Sequence, residues 1–120
     1  MTVVACRSDG QRAATTTAQT WLSLVDTGSY SQSWTAGAPY LQRVAAEANW
    51  EASMNRVRAP LGKMLSRKTR SAKATLTALN DRCVVVTFDT AFENRRSATE
   101  TVTVMPQTDG QWKVAGYFIQ

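Results

Sequence analysis

Histidine does not occur in this chain of 120 residues. Its absence removes the side chain that most often serves as general base, nucleophile activator and transition-metal ligand. Cysteine is scarce as well. Cys6 and Cys83 are too few and too far apart for a zinc knuckle or a CxxC redox pair. No apolar run approaches the roughly 20 residues that cross a bilayer. The glycine-rich dinucleotide fingerprint, the P-loop and the nucleophile elbow are all missing. These absences leave a small domain with no metal or cofactor implied, and no motif that names a reaction.

The composition is ordinary for a globular domain, 43% hydrophobic and 19% charged, and the length suits one domain with a core of its own. The net charge of +5 is distributed unevenly. Between Glu51 and Asp81 there is no acid, while Arg56, Arg58, Lys63, Arg67, Lys68, Arg70 and Lys73 fall in that stretch. A stripe of this kind can track phosphates. No aromatic residue stands between Trp50 and Phe88 to act as a stacking platform, so the pattern argues against nucleic acid. It favours a solvated face at a helix end and a strand, with an acidic partner or anionic surface as the alternative.

Residues 1–10 lack periodicity and are expected to form a flexible segment ahead of a domain over 11–120. Ala14, Ala18, Trp21, Leu22 and Val25 then share one helical face, which predicts a helix from about Gln11 to Asp26 that stops at Gly28. Ser29 or Ser31 can cap a short second helix with Tyr30 and Trp34 four apart. Past Gly37 and Pro39 a third helical region carries Leu41 and Val44, weakens from Ala45 to Ala48, and resumes through Trp50, Met54 and Val57 until Pro60.

Beyond Gly62 the period changes to two. Ala72, Ala74 and Leu76 form one alternating set, and Val84, Val86, Phe88 and Phe92 a second. Val102 with Val104 marks a third strand, and Gln111 to Ile119 a fourth. The connections, at Asn80-Asp81, at Glu93 to Arg96 and at Thr108-Asp109-Gly110, are short. Asp-Gly between alternating runs is a hairpin signal, and consecutive short links make neighbouring strands antiparallel. The prediction is therefore α+β: N-terminal helices packed on a curved four-stranded antiparallel sheet, as in the nuclear-transport-factor-2-like (NTF2-like) and cystatin-like architectures.

The order WLSLVDTGSYSQSW, Trp50 with VRAPLG, Ser66-Arg67, VVVTFDTAFEN, ETVTV and DGQWKVAGYFI resembles the bacterial family catalogued as domain of unknown function 4019, over roughly residues 14–120. Members typically follow an export signal, so the resemblance implies a periplasmic or envelope-associated protein. It implies no activity. The string Val3-Val4-Ala5-Cys6 is similar to the end of a lipoprotein signal, which makes Cys6 a lipidation candidate. Only five residues precede it, without a basic start or a full apolar region. Either the reading frame begins further upstream or the likeness is chance.

Strand parity supplies the candidate site. If Val102 and Val104 face inward, so does Glu100, and a carboxylate there needs a partner or a raised pKa. Arg67 and Arg58 are the arginines within reach. Tyr30, Trp34, Tyr40, Trp50 and Tyr117 provide rings that serve the core or line a pocket. Asp26 is expected to bond the turn at Thr27-Gly28, and Asp89 to point to solvent.

The reading that follows is a small extracytoplasmic binding or interaction module with a pocket between helices and sheet, taking an unknown small molecule or protein. A homodimer through an outer strip at Val85 and Ala91 is also expected. The alternative is an enzyme resembling ketosteroid isomerases or related dehydratases, with Glu100 as base and Tyr30 or Tyr117 as hydrogen-bond donor.

Overall fold

The computed structural model describes residues 2–76 and 82–120, with the side chains of 2–9 and 76 excepted. The Cys6 side chain and the Asn80-Asp81 connection therefore lie outside the described residues. Four α-helices are followed by a four-stranded antiparallel sheet in the order β1-β2-β3-β4. The helices are α1 (Thr2–Asp26), α2 (Tyr30–Thr35), α3 (Pro39–Val44) and α4 (Glu47–Val57), with a 3₁₀ turn over Ala59–Leu61. The strands are β1 (Met64–Leu76), β2 (Arg82–Phe92), β3 (Arg95–Pro106) and β4 (Trp112–Ile119). This is the expected α+β arrangement.

The periodicities that suggested the elements are the ones that become buried. Ala14, Ala18, Trp21, Leu22 and Val25 on α1 meet Val84, Val86, Phe88, Val102, Val104 and Val114 from the sheet, with Leu41, Trp50 and Met54 closing the core. Helix α1 starts at Thr2, well before the start expected at about Gln11, and takes in the segment expected to be irregular. It ends where expected: Gly28 takes φ 78°, its N–H donates to the Val25 carbonyl, and that of Ser29 donates to Leu24. This pair of bonds closes the helix and turns the chain. The third helical region is two helices, broken at the weak point the sequence showed. Val44 and Val57 do not join the core. They are 61% and 47% exposed because each is the last residue of its helix, past the packed face.

Strand β1 is longer than its alternation suggested, because irregularities between Met64 and Ser66 and between Thr69 and Ser71 interrupt the period of two. Before the second irregularity Arg67 and Thr69 lie opposite Thr90 and Phe88; after it Ala72 and Ala74 lie opposite Val86 and Val84. Cross-strand partners share a face, so the inward set on β1 switches from odd to even numbers. That switch is what turns Arg67 toward the helices.

Among the described residues, the other face of the sheet is covered at one end. Ala38 and Tyr40 pack over Cys83, Met105 and Ala115, and the Ala38 N–H donates to the Val114 carbonyl at the edge of β4. Cys83 is fully buried in this cluster.

Three tryptophan N–H groups find partners within the helical layer. Trp21 Nε1 donates to the Ser33 carbonyl (2.8 Å), Trp50 Nε1 to Ser33 Oγ (2.9 Å), and Trp34 Nε1 to the Ala45 carbonyl (2.7 Å). Trp21 is 3% exposed and also meets the rings of Trp50 and Tyr117. Trp21→Ala is expected to cost about 3–5 kcal/mol, and Trp34→Ala, at a half-buried position, less. Urea unfolding of both variants checks this; equal midpoints for the two would contradict the burial argument.

Candidate functional site

Glu100 is buried with none of its surface exposed, and its carboxylate is the inner end of a six-residue cluster. Oε1 accepts from Arg67 Nε (2.7 Å) and Thr90 Oγ1 (2.6 Å), and Oε2 accepts from the Tyr117 hydroxyl (2.5 Å). The guanidinium of Arg67 turns its remaining nitrogens to Asp26, Nη1 to Oδ2 at 2.8 Å and Nη2 to Oδ1 at 3.0 Å. Arg58 reaches the same carboxylate from the end of α4, Nη2 to Asp26 Oδ1 at 3.2 Å, and donates through Nη1 to the Gly62 carbonyl at 2.6 Å. Its guanidinium lies 4.5 Å from the centroid of the Phe92 ring, a cation–π contact in a desolvated place. Arg58 Nε is buried without a hydrogen-bond partner.

Local structure explains each position. Arg58 caps α4 and opens the 3₁₀ turn that Pro60 enforces. Gly62 follows with φ 78°, where a Cβ would lie 2.7 Å from a Glu93 carboxylate oxygen, so only glycine lets β1 start there. Thr90, Glu100 and Tyr117 project from β2, β3 and β4 on the face that Val86 and Val102 also use. Two carboxylates face two guanidiniums, so the formal charges cancel, which is the condition for burying ions at tolerable cost.

Electrostatics keep Arg67 charged and Tyr117 neutral. Burial draws the Arg67 pKa down, but the hydrogen bonds it donates to Asp26 and Glu100 and the charges of those carboxylates outweigh it, leaving it above the usual arginine value. Burial, then the Glu100 charge and the hydrogen bond to it, push the Tyr117 phenol well up, with Arg58 and Arg67 pulling the other way. Tyr117 therefore stays a neutral donor.

The structure brings together Glu100, Arg67 and Tyr117 directly, and Arg58 through Asp26. It does not bring in Tyr30 or Trp34, which are half-buried against the core elsewhere. Asp26 is a correction. It was expected to bond the Thr27-Gly28 turn, yet its carboxylate takes both arginines, because α1 delivers its last residue beside β1. Thr90 was missed, although the even-numbered inward set of β2 pointed to it. Asp89 lies outward as expected, paired with Arg70 at 2.6 Å. Among the described residues no three metal-ligating side chains converge.

The described residues also form surface concavities. A groove of about 250 Å³ between α1 and β4 is lined by Thr17, Thr20, Trp21, Leu24 and Val114. A larger one of about 530 Å³ opens toward the sheet's other face, lined by Ser66, Lys68, Arg70, Asp89, Arg96 and Thr99, with Arg67 and Thr90 of the cluster also in its lining.

Fold and cluster together define a class: a helices-on-sheet α+β domain whose interior polar group is a closed, charge-balanced network. The family model for a protein of unknown function, DUF4019, matches residues 17–117. The chain belongs to that family. No curated protein matches it.

Removing one side of the cluster strands a buried charge, so Arg67→Met is expected to cost about 3–5 kcal/mol. Pairing it with Asp26→Asn should be non-additive by at least about 1 kcal/mol; strictly additive losses in denaturant unfolding would contradict the network. Tyr117 gives a pH signature. Its folded pKa is raised, so its contribution is complete below the unfolded tyrosine value of about 10 and is lost as pH rises above it. Tyr117→Phe should make the decline in stability above about pH 10 shallower by up to about 1.4 kcal/mol per pH unit. Parallel alkaline unfolding curves for parent and variant would refute this.

Proposed function

We propose that this protein is a small extracytoplasmic binding or interaction module, of NTF2-like or cystatin-like architecture, that meets its partner through the outer face of its sheet. One observation carries the reading: the interior carboxylate is fully buried and engages Arg67, Thr90 and Tyr117. A base must reach a substrate proton, and Glu100 could do so only by giving up one of these donors. The isomerase-like or dehydratase-like reading therefore loses its key residue to structure.

The outer face is open by contrast. Thr87, Thr99, Thr101 and Thr103 lie along it, with Phe118 beside Thr101 and 52% exposed. The exposed Phe118 also favours a second reading, a homodimer through this same face, to which half-buried Val85 and Ala91 would contribute. The extracytoplasmic placement is supported by the Val3-Val4-Ala5-Cys6 string.

A photo-crosslinking residue at position 101, introduced into the full reading frame in the native host, tests the proposal by the intact mass of the adduct. A protein adduct is expected, and a self-adduct would select the homodimer. The same spectrum reads Cys6, where a diacylglyceryl addition is the expected envelope mark and an unmodified chain from Met1 removes the lipoprotein reading. No adduct at 101, with a small molecule retained by the parent and released by Tyr117→Phe, would overturn the binding surface in favour of an interior pocket.

A further inference from the structure

The groove at the hairpin end of the outer face has a chemistry of its own. Lys68 lies opposite Asp89, which lies opposite Thr99, and Ser66 lies opposite Ala91. All are on the side away from Glu100. Arg70 is thrown onto this side at the irregularity between Thr69 and Ser71, and Arg96 enters from the β2–β3 hairpin. Besides Arg67, which also lines the groove but is taken up by Asp26 and Glu100, three cations face one anion. The anion is already used: Asp89 Oδ1 sits 2.6 Å from Arg70 Nη2, with the two side chains 47% and 56% exposed. Lys68 and Arg96 are exposed and form no ion pair among the described residues.

We infer that this groove binds a carboxylate-rich polypeptide segment, an Asp/Glu-containing stretch of a partner protein. The inference deepens the proposal that the outer face is the contact surface and rests on it. Asp89 on Arg70 is a carboxylate held by the groove's own guanidinium, and Lys68 and Arg96 offer the same chemistry to an incoming chain. Hydroxyls of Ser66, Ser97 and Thr99 line the same space and can donate to further carboxylate oxygens. Among the described residues no aromatic ring lines the groove, so they offer no platform on which nucleic-acid bases stack. Its concave form, about 530 Å³, suits a chain entering it better than a flat headgroup layer. A second copy of this chain, with net charge +5, is a poor electrostatic match.

The test is fluorescence anisotropy of a labelled octaglutamate peptide against the full chain, with a sulfated polysaccharide and anionic vesicles as competing probes. Binding at low salt that weakens as salt rises is expected. Lys68→Glu with Arg96→Glu should weaken it about tenfold or more. Arg43→Glu with Arg56→Glu, the same charge change on the helical side, should alter it by less than about twofold. Circular dichroism confirms that both double variants are folded. Absence of binding at low salt, equal losses in the two double variants, or tighter binding of polysaccharide or vesicles through Lys68 and Arg96 would each overturn the inference. A crosslinked partner at position 101 without peptide binding would overturn it too, and leave the outer face standing as the contact surface.

Discussion

The guanidinium of Arg67 is the one group on which the arrangement of layers depends. It satisfies two carboxylates that come from opposite ends of the chain order, Asp26 from the last turn of α1 and Glu100 from the middle of β3. Through Thr90, Tyr117 and Arg58 the same network touches β2, β4 and the end of α4. An apolar core holds helices to a sheet without fixing where along the sheet a helix stops. A planar donor with a fixed fork geometry does fix it, because a displacement that broke any of its bonds would leave an ion buried and unpaired. Such clusters contribute little net stability relative to apolar packing. We take the role of this one to be registry.

That role has a cost in function. The space between helices and sheet is where an α+β domain of this shape would most readily house a ligand, and here its polar residues are consumed by one another. A carboxylate with no exposure, hydrogen-bonded to an arginine, a threonine and a tyrosine, is preorganised for staying as it is. Chemistry at Glu100 would require opening the element that sets the layer geometry. The Tyr117 phenol, kept neutral, is likewise committed, as a donor to Glu100.

Much of this was legible in sequence, and the parts that were not share a cause. The alternation of Val102 and Val104 was enough to turn Glu100 inward, because β3 is regular over that stretch, and Arg67 and Arg58 followed as the arginines of the first strand and the helix end. The inward turn of Arg67 itself depended on an irregularity at residue 70 that breaks the period of two, and no residue type there announces it. Asp26 was misread because a helix-terminal acid was interpreted through its own turn, whereas its partners lie 32 and 41 residues away. Local rules describe where a side chain points; they do not say which distant charge will meet it. Tyr30 and Trp34 show the converse limit, since their spacing of four put them on one face and said nothing about which polar group that face would meet.

The acid-free stretch of seven bases is where both features meet. Arg58 and Arg67 leave it for the interior, where each is matched by a carboxylate supplied from outside the stretch. Arg56, Lys63, Lys68, Arg70 and Lys73 remain exposed, and among the described residues only Arg70 of these has an anion of its own. The same irregularity in β1 that turns Arg67 inward sets Arg70 outward beside Lys68. Interior balance and exterior excess are thus produced by one strand. A change that regularised β1 would disturb both, pulling Arg67 away from Glu100 as it moved Arg70 off the outer face.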